Sequence, residues 1–431
     1  MYGIYAILLF FALAAYFPVY FVRSRLRGES LRIRQRCGFA LEKKTPKDKS
    51  IWVHAVSVGE VLSLQNLISQ VKKDHPGWSV YFSCLTETGF RMAKEKLKDA
   101  DDIFIVPLDF RFIVSKFFRY MRPDLFVLAE SEFWPNLLRE ASRNTKGVLV
   151  VNGRISTRSF RRYRKMRFLV DRILSPISLF LVQTERDKRM LEKIGVDPRI
   201  VRAAGNLKAE IELPVLGQEE INRLRQSVCI PEGSKVIVAG SVRKGEEKPL
   251  ASAFYRAWQE NRAIRLILAP RHPDRSSEVE KIFLKYPLKV QKRTTVQPGE
   301  EWDVLVLDTL GELAGFYAVS DAAFVGGSLV SWGGHNLLEP AYYAKPIFFG
   351  PHMDNFAHLA EIFVEAGAAR IVKNQDDLEE MFSLQKAEEY VEMGRTAQWT
   401  LRSLQGATEK TMQAIEALMN SSKGGERAEN D

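Results

Sequence analysis

At 431 residues, 46% hydrophobic and 27% charged, the chain is too long for one typical domain and too apolar for general disorder. Two domains of roughly 200 residues each are expected, with a cleft between them. The formal net charge of +10 points to an anionic partner, which could be nucleic acid, a membrane surface or a phosphorylated substrate. Cys37, Cys84 and Cys229 are odd in number and lack metal-ligand spacing, which argues against a disulfide framework and a structural zinc site and for reduced thiols.

Residues 2–22 (YGIYAILLFFALAAYFPVYFV) are uncharged and almost wholly apolar, and Arg23, Arg25, Arg27, Arg32, Arg34 and Arg36 follow at once. About 20 apolar residues suffice to cross a bilayer, and arginines on the C-terminal side hold the remainder in the cytoplasm. A signal peptide would carry its charge before the apolar run and a cleavage site after it. The sequence therefore predicts an uncleaved membrane-anchor helix over 1–22, spanning the bilayer or, given Pro18 and the aromatic residues, dipping into one leaflet, and a basic juxtamembrane segment over 23–49, with a buried core helix as the competing reading.

From residue 50, β-prone runs alternate with helical stretches: IWVHAVS, SVYFSCL, DIFIVPL, DLFVLAE, GVLVVNG and LFLVQT. Alternation of this kind predicts a parallel, Rossmann-like sheet that binds ligands beyond the carboxyl ends of its strands. The first domain is expected over 50–208. Pro214, Gly217 and Pro231 then interrupt a charged helical stretch and mark a linker over 209–231. The alternation resumes with KVIVAGS, IRLILAP, DVLVLDT, AAFVGGS and KPIFFGP, a second Rossmann-like domain over 232–390. A helical segment over 391–420 and a disordered polar tail over 421–431 complete the expected chain.

Polar residues cluster at the strand ends. The stretch HAVSVGE at 54–60 leaves a buried strand through a glycine, and Glu60 is either a general base for a substrate hydroxyl or a helix-capping carboxylate. In ESEFWPN at 130–136, Glu130 and Glu132 invite a glycosidase reading, but side chains at i and i+2 diverge, so only one need face a cleft. Residues 154–172 hold the densest positive charge, with Arg154, Arg158, Arg161 and Arg162 interleaved with aromatic side chains. That pattern suits an amphipathic segment on an anionic surface, and the expected anchor favours phospholipid or a phosphorylated lipid over nucleic acid.

In the second domain, GSVRKGEE at 240–247, APRHP at 269–273 and DTLGEL at 308–313 follow three strands. The stretch FVGGSLVSWGGHNLLEP at 324–340 follows a fourth. Its glycine pairs let backbone approach a ligand, and a helix starting near His335 would put Asn336 and Glu339 on one face of its first turn, where free N–H groups favour an anion. A structural glycine turn before an ordinary helix is the plain alternative.

HAVSVGE, ESEFWPN, NGRISTRS at 152–159, GNLK at 205–208, APRHP and VGGS…GGHNLLEP together resemble the 3-deoxy-D-manno-octulosonic acid (Kdo) transferases of lipopolysaccharide synthesis. The resemblance implies a GT-B architecture, two Rossmann-like domains facing a cleft, and an inverting transferase at the inner membrane with its catalytic domains on the cytoplasmic side. It further implies transfer of Kdo from CMP-Kdo to the disaccharide of a lipid A precursor, with no metal or other cofactor. Carried over by motif, Glu60 would be the general base and Glu130 a second essential carboxylate. Lys208, Arg271, Gly311, Gly327, Asn336 and Glu339 would contact CMP-Kdo, and Arg154, Arg158, Arg161 and Arg162 the acceptor's phosphates and an anionic inner-membrane surface. Nucleic acid is not an expected partner. Val242 and Arg243 depart from the family pattern, which has a histidine and a threonine in this loop, and Ala209 and Glu210 stand where it has an aromatic followed by an acid. A GT-B enzyme using another nucleotide sugar, or a non-catalytic protein binding anionic lipid, are the alternatives.

Overall fold

The computed structural model describes residues 2–26, 32–39, 48–211, 213–297 and 299–421. Much of the basic segment expected over 23–49, Arg27 included, lies outside the described residues, as does the expected tail beyond 421. The chain divides into two compact units, residues 1–210 with 404–431, and residues 211–403.

In the first unit seven strands, β1 (Ser50–Ala55), β2 (Ser79–Cys84), β3 (Asp102–Ile105), β4 (Leu125–Ala129), β5 (Gly147–Gly153), β6 (Leu179–Val182) and β7 (Val201–Ala203), pair in the order β3-β2-β1-β4-β5-β6-β7. Every pairing is parallel. Such strands are near-continuous apolar runs because helices cover both faces. Ile51, Val53 and Val127 line one face. Trp52, fully buried, fills the other against Phe104, Phe117, Phe118 and Phe126. The last helix, Ala407–Asn420, lends Met412, Ile415 and Met419 to the first face, so the stretch expected as one segment over 391–420 is shared between the two units.

The second unit repeats the plan with β8 (Lys235–Val242), β9 (Ile264–Pro270), β10 (Val290–Lys292), β11 (Val304–Val306), β12 (Ala322–Val325), β13 (Ile347–Phe349) and β14 (Ala369–Ile371). These run in the order β10-β11-β9-β8-β12-β13-β14, again all parallel. In each sheet the strand order reverses at its centre, between β1 and β4 and between β8 and β12; in the second sheet β11 also inserts between β9 and β10. The crevice beyond such a switch point is where α/β sheets place their ligands.

All eleven apolar runs of the sequence are strands. The sequence reading misses β7, β10 and β14, each three residues long and each an outer edge of its sheet. Segments so short and only partly buried show no periodicity to read.

The expected membrane anchor is overturned. Tyr2–Leu26 is helical, with Pro18 inside the helix, yet among the described residues no helix is long and apolar enough to cross a membrane. Its first turns are instead engaged with the first unit. The Arg139 guanidinium lies 4.3 Å from the Tyr2 ring centroid, and the Tyr5 hydroxyl bonds the Asp109 carboxylate. The expected placement at the inner membrane by such an anchor is overturned with it.

Candidate active site

The carboxyl ends of β1 and β4 flank the first switch point, and the chain leaves each of them through a carboxylate. After β1, Ser57 caps the helix Val58–Asp74. Its hydroxyl accepts from the Glu60 amide at 3.4 Å and donates to Glu60 Oε1 at 2.9 Å, while the Val56 amide donates to Oε2 at 2.8 Å. The geometry resembles a capping box with the reciprocal bond coming from the residue before the cap, so the capping reading of Glu60 describes its bonds. It does not account for the electrostatics. Glu60 is only 7% exposed, and burial, with Glu130 adding negative charge, pushes its carboxyl up to about 7 against the two hydrogen bonds that favour the ionised form. A carboxylate poised near neutrality and at the mouth of a sheet is suited to proton transfer.

After β4, Glu130 adopts φ +54°, a left-handed conformation that costs a non-glycine residue about 1 kcal/mol or more. It is buried, and its Oε2 accepts from Arg154 Nε at 2.7 Å. Glu132 is half-buried, and burial followed by the charge of Glu130 raises its pKa. Asn152, at the end of β5, is likewise left-handed at φ +53°; its Oδ1 accepts from the Leu207 amide and so steadies the turn that carries Lys208. A Cβ built on Gly59 would lie 3.4 Å from Lys208 Nζ. The ammonium therefore sits over the first turn of the Glu60 helix.

The structure thus brings together Glu60, Glu130, Arg154 and Lys208. Arg158, Arg161 and Arg162 project from the helix Thr157–Lys165 and are exposed. Arg161 and Arg162, with Lys165 and Met166, line a shallow depression of about 330 Å³.

In the second unit the loops after β8, β9 and β12 meet around the second switch point. Glu246, fully buried, accepts from the amides of Gly327 at 2.6 Å, Ser328 at 2.8 Å, Leu329 at 2.8 Å and Arg243 at 2.8 Å. The amides of the turn at the first glycine pair are thus taken by an internal carboxylate. The expected helix start near His335 also shifts, since the helix spans only Leu338–Tyr342. Asn336 precedes it, accepting from the Leu338 amide and donating to Glu339 Oε1 at 3.2 Å. Burial raises the pKa of Glu339, opposed by the Asn336 hydrogen bond and by the nearby Arg271 charge. Gly327, at φ +70°, leaves room for the His335 ring, which a Cβ would meet at 2.9 Å. Gly311 stands apart beyond β11, at φ +86° with open space around it.

The family model of the 3-deoxy-D-manno-octulosonic-acid transferases (kdotransferases) matches residues 31–211. A 3-deoxy-D-manno-octulosonic acid transferase of Rickettsia felis is 30% identical over 83% of this chain and 78% of its own length. The chain belongs to the 3-deoxy-D-manno-octulosonic acid transferase family. The Haemophilus influenzae transferase is 29% identical over 90% of this chain and 91% of its own length. A bifunctional glycosyltransferase/methyltransferase of Fusobacterium nucleatum is 34% identical over 77% of this chain, which spans about half (51%) of that longer protein. The crystal structure of Acinetobacter baumannii MurG, 13% identical over 86% of this chain and 99% of its own, superposes with a TM-score of 0.55 and shows the shared fold of two Rossmann-like units. As a member of the 3-deoxy-D-manno-octulosonic acid transferase family, the chain is a glycosyltransferase.

The family motifs led to the carboxylates and to the Asn336–Glu339 pair. They did not lead to Glu246, because a carboxylate buried under a glycine loop looks in sequence like any acid at a helix start. Nor did they lead to the meeting of His272, His335 and Trp332 around Arg243, which joins three loops far apart in the chain.

Proposed function

We infer that the chain transfers Kdo from CMP-Kdo to a hydroxyl of the disaccharide of a lipid A precursor. The observation that carries this reading is the raised, buried Glu60 carboxylate beside Glu130 at the switch point of a family member's first sheet. Glu60 takes the acceptor's hydroxyl proton as that oxygen attacks the anomeric carbon of Kdo. The bond from that carbon to the CMP phosphate oxygen breaks, its electron pair leaves with CMP, and the configuration inverts. Glu130, held by Arg154, keeps the proton affinity of Glu60 high. Lys208 supplies positive charge over the same helix turn. Arg271, Asn336 and Glu339 bind the nucleotide, and Gly327 supplies the space beside them. Arg158, Arg161 and Arg162 take the acceptor's phosphates and the anionic lipid around it, as a salt-sensitive electrostatic contact.

The test is an assay of the purified full chain with CMP-Kdo and a tetraacyl lipid A precursor, read by mass spectrometry. A product heavier by Kdo is expected, with CMP but not UDP displacing the donor, and Glu60→Ala abolishing transfer while CMP still binds. Turnover retained by Glu60→Ala would sink the assigned role, and displacement by UDP would reassign the donor.

A further inference from the structure

Arg243 joins the three loops of the second unit. Its Nε donates to His335 Nε2 at 3.1 Å, its Nη1 faces His272 Nε2 at 3.1 Å, and its guanidinium carbon lies 5.0 Å from the Trp332 ring centroid. Because a guanidinium keeps its protons, both imidazoles present an accepting Nε2 to it and carry their proton on Nδ1. Two of the five guanidinium N–H groups are used in this way; the others bond no acceptor among the described residues. No carboxylate pairs with it within 4 Å among the described residues, although the charge of Glu246 favours the guanidinium. Glu246, the nearest, accepts the four backbone amides already described, the Arg243 amide among them. Arg275 is paired with Glu247 at 2.7 Å and Glu278 at 3.2 Å. Arg271, close enough to disfavour the Arg243 charge, forms no ion pair within 4 Å among the described residues. Two arginines held near each other with no ion pair to either carry a repulsion that a bound oxyanion relieves, and a planar fork positioned by the Trp332 ring and by two ring nitrogens is pre-organised to receive one.

We propose that Arg243 is a second arginine of the donor site, with its free N–H groups on an oxyanion of the bound sugar nucleotide alongside Arg271. The inference rests on the donor reading above. A CMP-sugar donor offers two such groups, the phosphate and the sugar carboxylate, and the experiment separates them.

The test measures CMP binding by calorimetry and the donor KM and kcat of the full chain for wild type and Arg243→Gln. Glutamine can still donate to an imidazole but carries no charge, so a role confined to tying the loops together would be rescued. A 10- to 100-fold rise in the CMP dissociation constant, the scale of about 1.5–3 kcal/mol for a hydrogen bond to a charged group, is expected if Arg243 holds the phosphate. An unchanged CMP affinity with a donor KM raised by that factor assigns Arg243 to the carboxylate. Values of both within twofold of wild type overturn the proposal. If Arg243→Gln loses its cooperative unfolding transition, Arg243→His, which retains a ring donor, is measured by the same criteria. Wild type failing to bind CMP at all would count against the donor reading itself.

Discussion

Arg154 donates from Nε to Glu130 Oε2 at 2.7 Å, so the first of the arginines expected on the acceptor's phosphates is directed inward to the carboxylate cluster. Removing that charge leaves Glu130, whose side chain is 9% exposed, uncompensated beside Glu60. Arg154→Gln should make Glu60 hold its proton more tightly. The ascending limb of the pH–rate profile then moves up by about 0.5–1 unit, a modest shift for a half-exposed charge. An Arg154 that served only acceptor phosphate would change the acceptor KM and leave the limb in place.

Glu60 links activity to stability with opposite signs. Its pKa is near 4.5 in the unfolded chain and about 7 in the folded one, so the folded state binds the proton more strongly. Stability therefore declines as pH rises from about 4.5 to 7, and the ionised carboxylate costs roughly 3 kcal/mol above that range. The glutamine variant avoids that cost but loses a charged cap. Urea unfolding at pH 5 and pH 8 should show Glu60→Gln gaining on wild type between the two by about 2–3 kcal/mol, while its turnover falls by roughly 10²–10⁴. A stability difference that does not change between the two pH values would refute the raised pKa.

The sheets were legible because parallel strands buried on both faces are nearly pure apolar runs, as in LFVLA before Glu130 and VIVAG before Ser241. The polar residues follow where those runs stop, which is why Glu60, Glu130 and the loop at 240–247 stand out in the sequence. Two things were not legible. The run at 2–22 meets the length rule for a membrane span, yet no letter in it reports that Tyr5 bonds Asp109 or that Arg139 lies over Tyr2. The glycine loop at 326–329 suggests backbone that approaches a ligand, but what its amides bind is Glu246, some 80 residues away in sequence. Contacts between distant loops leave no periodicity in a single chain.

Glu246 is accordingly expected to matter for stability. Its two oxygens accept four backbone amides in a fully buried setting, and Glu246→Ala leaves those donors without partners. Hydrogen bonds to a charged acceptor contribute about 1.5–3 kcal/mol each, so a loss of at least ~3 kcal/mol is expected by urea denaturation, with the second unit unfolding first. Hydrogen exchange should report it as lost protection at Gly327, Ser328 and Leu329. Protection retained at those three amides would show that the loop holds itself.

Gly327 and Gly311 both have positive φ, at +70° and +86°, but only one of them is hemmed in. Alanine at either position pays the left-handed cost of about 1–2 kcal/mol. At Gly327 the added Cβ also meets His335 Cδ2 at 2.9 Å and Nε2 at 3.1 Å, and the ring cannot yield without disturbing the hydrogen bond that Arg243 donates to it. At Gly311 nothing lies within 4 Å. Gly327→Ala should therefore weaken CMP binding by at least about tenfold, more than 1.4 kcal/mol, in addition to lowering stability. Gly311→Ala should lower stability alone and leave CMP affinity within a factor of two. Paired calorimetry and thermal unfolding check both variants. Equal losses of affinity would mean that Gly311 also lies against the nucleotide and that the position of the His335 ring is immaterial to binding.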